Sequence, residues 1–141
     1  MFAEQQQLHN NTIYPLLKRF LKSGWITQQQ AGGERGQTRL LYALTLAGKK
    51  VLVDKLSDFS DADVTNPHAF RLRVGLFGLL DTSTRERIIR LRDEHLAARL
   101  NRIHQIAKAH IIEGWPASTM NHVLKEVQLE RKWIAQLMTQ I

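Results

Sequence analysis

Asn11-Thr12-Ile13-Tyr14-Pro15-Leu16-Leu17-Lys18-Arg19-Phe20-Leu21-Lys22-Ser23, closed by Gly24-Trp25-Ile26, is the most diagnostic stretch of this chain. Ile13, Leu16, Leu17, Phe20 and Leu21 recur at helical spacing and predict an amphipathic helix from Asn11 to Ser23. Pro15 is tolerated in its first turn, and Gly24 ends it. Asn11, Pro15, Lys18 and Lys22 fall on the opposite face, with Thr12, Tyr14 and Arg19 on its flanks. That face has the chemistry of a major-groove reader. Asn pairs with adenine edges, Lys with guanine edges or phosphates, and Tyr and Thr hydroxyls with phosphate oxygens. A solvated outer face of an ordinary surface helix has the same composition, so the helix alone does not decide between the two.

The residues after Gly24 narrow the choice. Trp25 to Gln30 reads as a strand, Ala31 to Gly36 as a polar turn rich in glycine, and Gln37 to Leu44 as the return strand. Arg35 and Arg39 can lay guanidinium groups along a phosphate backbone or in a minor groove. Thr45 is placed to cap a further helix to about Leu56. Helix, glycine stop, strand, basic turn, strand and helix is the order of the second half of a winged helix-turn-helix. Upstream, residues 1–8 read as the tail of a helix, and His9-Asn10-Asn11 as a capping turn.

Residues 58–67, acidic and turn-rich, read as a linker between a partial winged-helix domain at 1–57 and a helical domain at 68–141. In the second domain, Ala69 to Leu80 is apolar enough to be buried between other helices. Ser83 and Glu86 stand in capping-box register ahead of a long helix reaching Glu113, which Gly114 and Pro116 then stop. Ile89, Leu96, Leu100, Ile103 and Ala107 follow heptad spacing along it. A last helix, about Ser118 to Gln140, repeats the pattern. Its stripe is wide enough for two partners, which favours homodimerisation over packing within one chain. Leu124, Val127, Trp133, Ile134, Leu137 and Met138 are the expected contacts. The predicted class is therefore mostly α with a small β-hairpin: a partial winged helix-turn-helix followed by a helical dimerisation domain with long antiparallel helices.

Composition agrees with a nucleic-acid partner. The chain has 141 residues, 20 Lys and Arg against 13 Asp and Glu, and a net charge of +7, which favours polyanions. The excess is concentrated at residues 1–57, where eight basic side chains face three acidic ones. With no cysteine there is neither a disulfide nor a thiolate zinc site. The longest apolar run, Val74 to Leu80, is far short of the roughly 20 residues of a membrane span. The N-terminus has no secretory pattern, so a cytoplasmic protein without membrane contact is expected. The six histidines lack ligand spacing, and no nucleophile–base pair stands out. No enzyme activity, metal or cofactor is expected. Trp25, Trp115 and Trp133 could line a pocket for a small effector, although core or interface packing is the simpler assignment.

The run TIYPLLKRFLKSGWI, the glycine-rich turn, and Arg39-Leu-Leu-Tyr42-Ala-Leu44-Thr45-Leu-Ala47-Gly48 together resemble the PadR family of bacterial transcriptional regulators. Phe70-Arg-Leu-Arg73-Val-Gly-Leu-Phe77-Gly-Leu-Leu80 and the helices beyond are similar to the helical second domain of one PadR subgroup. The resemblance implies a sequence-specific regulator that binds a two-fold-symmetric double-stranded operator as a homodimer, and a family that includes sensors of small hydrophobic molecules. Asn11, Thr12, Tyr14, Lys18, Arg19, Lys22, Arg35 and Arg39 are the expected DNA contacts. PadR-like chains carry one complete helix and most of another before this point, whereas here only Met1 to Leu8 precede it. Ile13, Leu16 and Phe20 are then expected to lose packing worth about 1.5–3 kcal/mol each when fully buried, leaving an N-terminal region that is mobile, rearranged or covered by a neighbouring chain, and weak DNA binding. The alternative is an N-terminally truncated dimerisation or interaction module that binds no DNA by itself and forms mixed dimers with a complete homologue.

Overall fold

The computed structural model describes residues 10–33, 36 and 38–141. Its elements are α1 (Asn10–Lys22), β1 (Ile26–Gly32), β2 (Thr38–Leu44), α2 (Leu46–Ser57), α3 (Asp61–Thr65), α4 (Pro67–Gly75), α5 (Thr82–Ala109) and α6 (Gly114–Met138), with a 3-10 turn at Phe77–Leu79. The chain divides into two compact units, 1–55 and 56–141, and the division falls in the last turns of α2. Among the described residues no helix is long and apolar enough to cross a membrane. The expected mobility of the N-terminal region covers residues 1–24, of which 1–9 lie outside the described residues.

In the first unit, β1 and β2 form an antiparallel hairpin in which Ile26 faces Leu44, Gln28 faces Tyr42 and Ala31 faces Arg39. β1 begins one residue later than the sequence pattern predicts and runs on to Gly32, into the expected turn; Gln37, expected to open the return strand, lies outside the described residues. Leu40, Leu41 and Leu44 remain exposed, as does Leu46.

The second unit is a helical cluster around Phe70, Ile88, Ile89 and Leu96, all essentially without solvent contact. Phe70 meets Trp133 edge to face at 5.7 Å and Phe59 at 6.5 Å between ring centroids, an arrangement favoured by the ring quadrupoles. The expected linker is part of this structure. Phe59 is buried, and Ser60 and Asp63 form a reciprocal capping box that opens α3. Arg73, projecting from α4, explains why: its Nε donates to the Leu56 carbonyl at 2.9 Å. Its remaining donors reach the Ala69 and Asp58 carbonyls and the Asp63 carboxylate, with the guanidinium over the Phe59 ring. One cation thus satisfies the backbone of a turn-rich segment and neutralises one of its acids.

The helix ends also depart from expectation. α4 stops at Gly75 rather than continuing to Leu80, and the chain tightens into the 3-10 turn. α5 ends at Ala109, short of Glu113, and Gly114 and Pro116 lie in the first turn of α6 instead of acting as stops. The cap of α5 is Asp81 rather than Ser83. Its carboxylate accepts from the Thr84 amide at 2.7 Å and from the Ser83 hydroxyl at 3.0 Å, because Asp81 stands directly before the first helical residue, where an N-cap acceptor is needed, and Ser83 is already inside the helix. The Thr84 amide bond, with smaller contributions from the Thr84 and Ser83 side chains and Arg85, holds the Asp81 pKa below its ordinary value. A depressed carboxylate pKa adds stability above the unfolded pKa and loses it as pH falls through the folded one. Asp81→Ala is therefore expected to lower the melting temperature at neutral pH. The difference should vanish once acid protonates Asp81 in both states; a difference that persists in acid would contradict the assignment.

Candidate nucleic-acid interface

α1 is held by its C-terminus. The Trp25 amide donates to the Phe20 carbonyl at 3.0 Å and the Gly24 amide to the Leu21 carbonyl at 3.1 Å. This pair of bonds defines a Schellman motif. Gly24 takes φ +74°, a region open to glycine at no steric cost. The hydrophobic contact that accompanies the motif is the Phe20–Trp25 ring pair, with centroids 5.5 Å apart. Thr45 then ties in the next helix: its hydroxyl donates to the Gly24 carbonyl at 2.6 Å and accepts from the Gly48 amide at 3.0 Å. The Thr45 amide bonds the Trp25 carbonyl. The end of α1, the start of β1 and the start of α2 thus meet in one knot of residues.

With that end anchored, Ile13, Leu17, Phe20 and Leu21 are half-buried, whereas Thr12, Lys18, Arg19 and Lys22 are exposed and Tyr14 is 60% exposed. Tyr14, Lys18 and Lys22 are spaced four apart and form one continuous edge of the helix. Among the described residues no carboxylate pairs with Lys18, Arg19, Lys22 or Arg39. Arg39 is exposed on β2, on the hairpin face it shares with Leu41 and Ala43. Arg35 and the side chain of Asn11 lie outside the described residues, so their expected contacts are not located. Leu16, expected to lack cover, is 36% exposed, while Phe20 keeps cover from Trp25.

The residues expected at a dimer interface divide. Val127 and Ile134 are 4% and 3% exposed within the chain itself, in the seam where α6 lies along α5, so they have no surface left for a partner. Trp133 is engaged with Phe70. Leu124 and Leu137 are half-buried and Met138 is exposed. In this unit the large apolar side chains with most free surface are Ile111, Trp115, Leu129 and Leu72, with Met138 and Ile106 next. The helical stripes did not include Ile111 or Trp115, because these residues lie where one helix ends and another begins; Trp115, expected in a core or an interface, is 87% exposed. Two ion pairs fasten the seam. Arg92 is bidentate on Glu130, and Arg131 on Asp93. His95, half-buried beside Arg92, Arg99 and Arg102, has its pKa pushed down, first by burial and then by these cations. Among the described residues no cluster of His, Asp or Glu could hold a metal ion.

Residues 2–54 match the Transcriptional regulator PadR-like family. Among solved structures the chain is similar to Bacillus subtilis PadR in complex with operator DNA: 19% identity, 93% of this chain and 78% of that one covered, TM-score 0.44. It is also similar to smu.1604c from Streptococcus mutans UA159, at 21% identity, with 93% and 79% covered and a TM-score of 0.46. No curated protein matches.

Proposed function

We propose, with a PadR-like family domain at residues 2–54 as the premise, that this protein is a sequence-specific, DNA-binding transcriptional regulator that acts as a homodimer in the cytoplasm. The observation that carries the reading is the unpaired cationic edge of α1, bearing Tyr14, Lys18 and Lys22 on a helix whose far end is locked by Phe20, Trp25 and Thr45. A rigidly held, exposed helix with basic and hydroxyl side chains is what entry into a major groove requires. Lys18, Lys22, Arg35 and Arg39 supply phosphate attraction, while Asn11, Thr12 and Tyr14 set register or read bases, with Arg19 on the flank. Two such helices about 34 Å apart would meet successive major grooves of a two-fold-symmetric operator. Ile106, Ile111, Trp115 and Leu129 supply apolar surface for the second protomer.

Titration of promoter fragments against random competitor DNA at several salt concentrations tests the reading. If a dimer neutralises about 6–10 phosphates, affinity falls roughly 10³–10⁵-fold between 50 and 200 mM salt. Lys18→Ala and Lys22→Ala are each expected to lower the salt slope by about one per contact removed. A salt-independent affinity, or no preference for any promoter at low ionic strength, defeats the proposal. Binding that appears only when the chain is refolded with a complete PadR-like homologue would favour the interaction-module alternative. Sedimentation at micromolar concentration is expected to give twice the 16.3 kDa chain mass; a purely monomeric species would remove the homodimer.

A further inference from the structure

Past Leu96 on α5 and ahead of Val127 on α6 no residue is buried, so residues 97–126 form an exposed two-helix arm. The charge surplus of the helical unit is collected there. Arg99, Arg102, Lys108 and Lys125 stand on the arm against Glu113 and Glu126, whereas the rest of the unit, 56–96 and 127–141, carries eight cations and eight acids. None of the four cations has an ion-pair partner among the described residues. Of the two acids, Glu113 stands directly before α6, and Glu126 is 3.5 Å from His122 in a mostly exposed contact of small net worth. His104, His110 and His122, all exposed, are the remaining titratable groups of the arm. His95, at its root, registers the field of the cations: its pKa is pushed down first by burial and then by Arg92, Arg99 and Arg102, with Glu130 of α6 opposing.

The arm also carries the apolar surface that a partner would cover. Ile111 and Trp115 are the most exposed large apolar side chains of the unit, at 92% and 87%, and Ile106 stands one turn before α5 ends. In a two-fold interface the same patch lies on both sides, so a homodimer built on these residues sets arm against arm, and the cations beside the patch meet their own counterparts. We infer that the homodimer is pH-sensitive: protonation of His104, His110 and His122 adds like charge to both arms and drives the protomers apart. This inference rests on the homodimer proposed above and does not require DNA. Histidine is the side chain whose charge changes between pH 5 and 8. With all three protonated, the surplus of each arm rises from two charges to five. Separated arms then take up protons more readily than paired ones, so by linkage a falling pH favours the monomer.

Sedimentation equilibrium of the full chain at pH 8 and at pH 5.5 tests it, with circular dichroism recorded at both. In about 50 mM salt the dimer dissociation constant should rise roughly tenfold or more on acidification, and in about 0.5 M salt less than roughly threefold, because exposed charges are screened. The helical signal should be the same at the two pH values. His104→Gln, His110→Gln and His122→Gln combined should leave a dimer whose stability no longer follows pH over this range. Gln105→Lys, which adds a fixed cation to an exposed position of the arm, should weaken the dimer at pH 8. A dimer equally stable at both pH values, one tightened by acid, or a response retained by the triple variant overturns the pH sensitivity and leaves the homodimer standing. Dissociation accompanied by loss of helix overturns it as well, since unfolding would then be the cause. A chain that is monomeric at pH 8 even in 0.5 M salt removes the homodimer and this inference together.

Discussion

Arg92→Met is expected to destabilise the helical unit by about 3–5 kcal/mol, the usual consequence of removing one partner of a buried ion pair. Arg92 is 3% exposed, and its guanidinium holds both oxygens of Glu130 at 3.0 and 2.9 Å while NH1 donates to the Val64 carbonyl at 2.7 Å. One side chain therefore joins α5 to α6 and to α3. Methionine fills comparable space but leaves the mostly buried Glu130 carboxylate and the Val64 carbonyl without that donor. The cost thus comes from stranded acceptors rather than from a cavity. Arg92→Met combined with Glu130→Leu should recover most of the loss, because replacing a whole buried pair by apolar groups is often neutral. Urea unfolding followed by circular dichroism and by exchange of α6 amides measures both. A single variant costing under about 1 kcal/mol, or a double variant no better than the single, would show that the pair does not fasten the seam.

Gly48→Ala should destabilise the winged unit by about 3 kcal/mol, at the upper end of overpacking effects. A Cβ at this position would stand 1.9 Å from the Trp25 carbonyl oxygen and 2.7 Å from its carbon. Those are backbone atoms of the residue whose ring covers Phe20, and the same oxygen accepts from the Thr45 amide. The clash cannot be relieved by rotating a side chain; it has to push α2 away from β1 and break the Thr45 bonds. In an unconstrained helix the same change would stabilise by roughly 0.5–1 kcal/mol. Gly75→Ala, at a site with open space around it, is the control and should be neutral or slightly stabilising. The exchange rates of α1 and β1 amides in the two variants give the comparison. Under the proposed function, Gly48→Ala also lowers DNA affinity, since the recognition helix loses its anchor.

Some of the candidate interface was legible because its signals are local. The stripe of Ile13, Leu17 and Phe20, the stop at Gly24 and the cap at Thr45 each follow from spacing or from the chemistry of one turn, and each stands where it was expected. The knot that joins them was not legible. Gly48 closes the stretch that carries the family resemblance, but the reason for a glycine there emerges only when the Trp25 carbonyl is found against it. In the helical unit, the acidic segment looked like a linker because its order comes from Arg73, ten residues past Asp63. Local rules also placed the α5 cap two residues late and read Gly114 as an end rather than a beginning.

The long helices draw the boundary most clearly. An apolar residue every three or four positions is enough to state that α5 and α6 are helices with a face to bury, because side-chain direction follows from backbone geometry alone. Periodicity carries no information about what covers that face. Burial of Val127 and Ile134 against α5, rather than against another protomer, depends on how two helices of one chain meet. The exposure of Ile111 and Trp115 depends on where they part. Those outcomes are set by contacts between residues far apart along the chain, and only tertiary packing decides them.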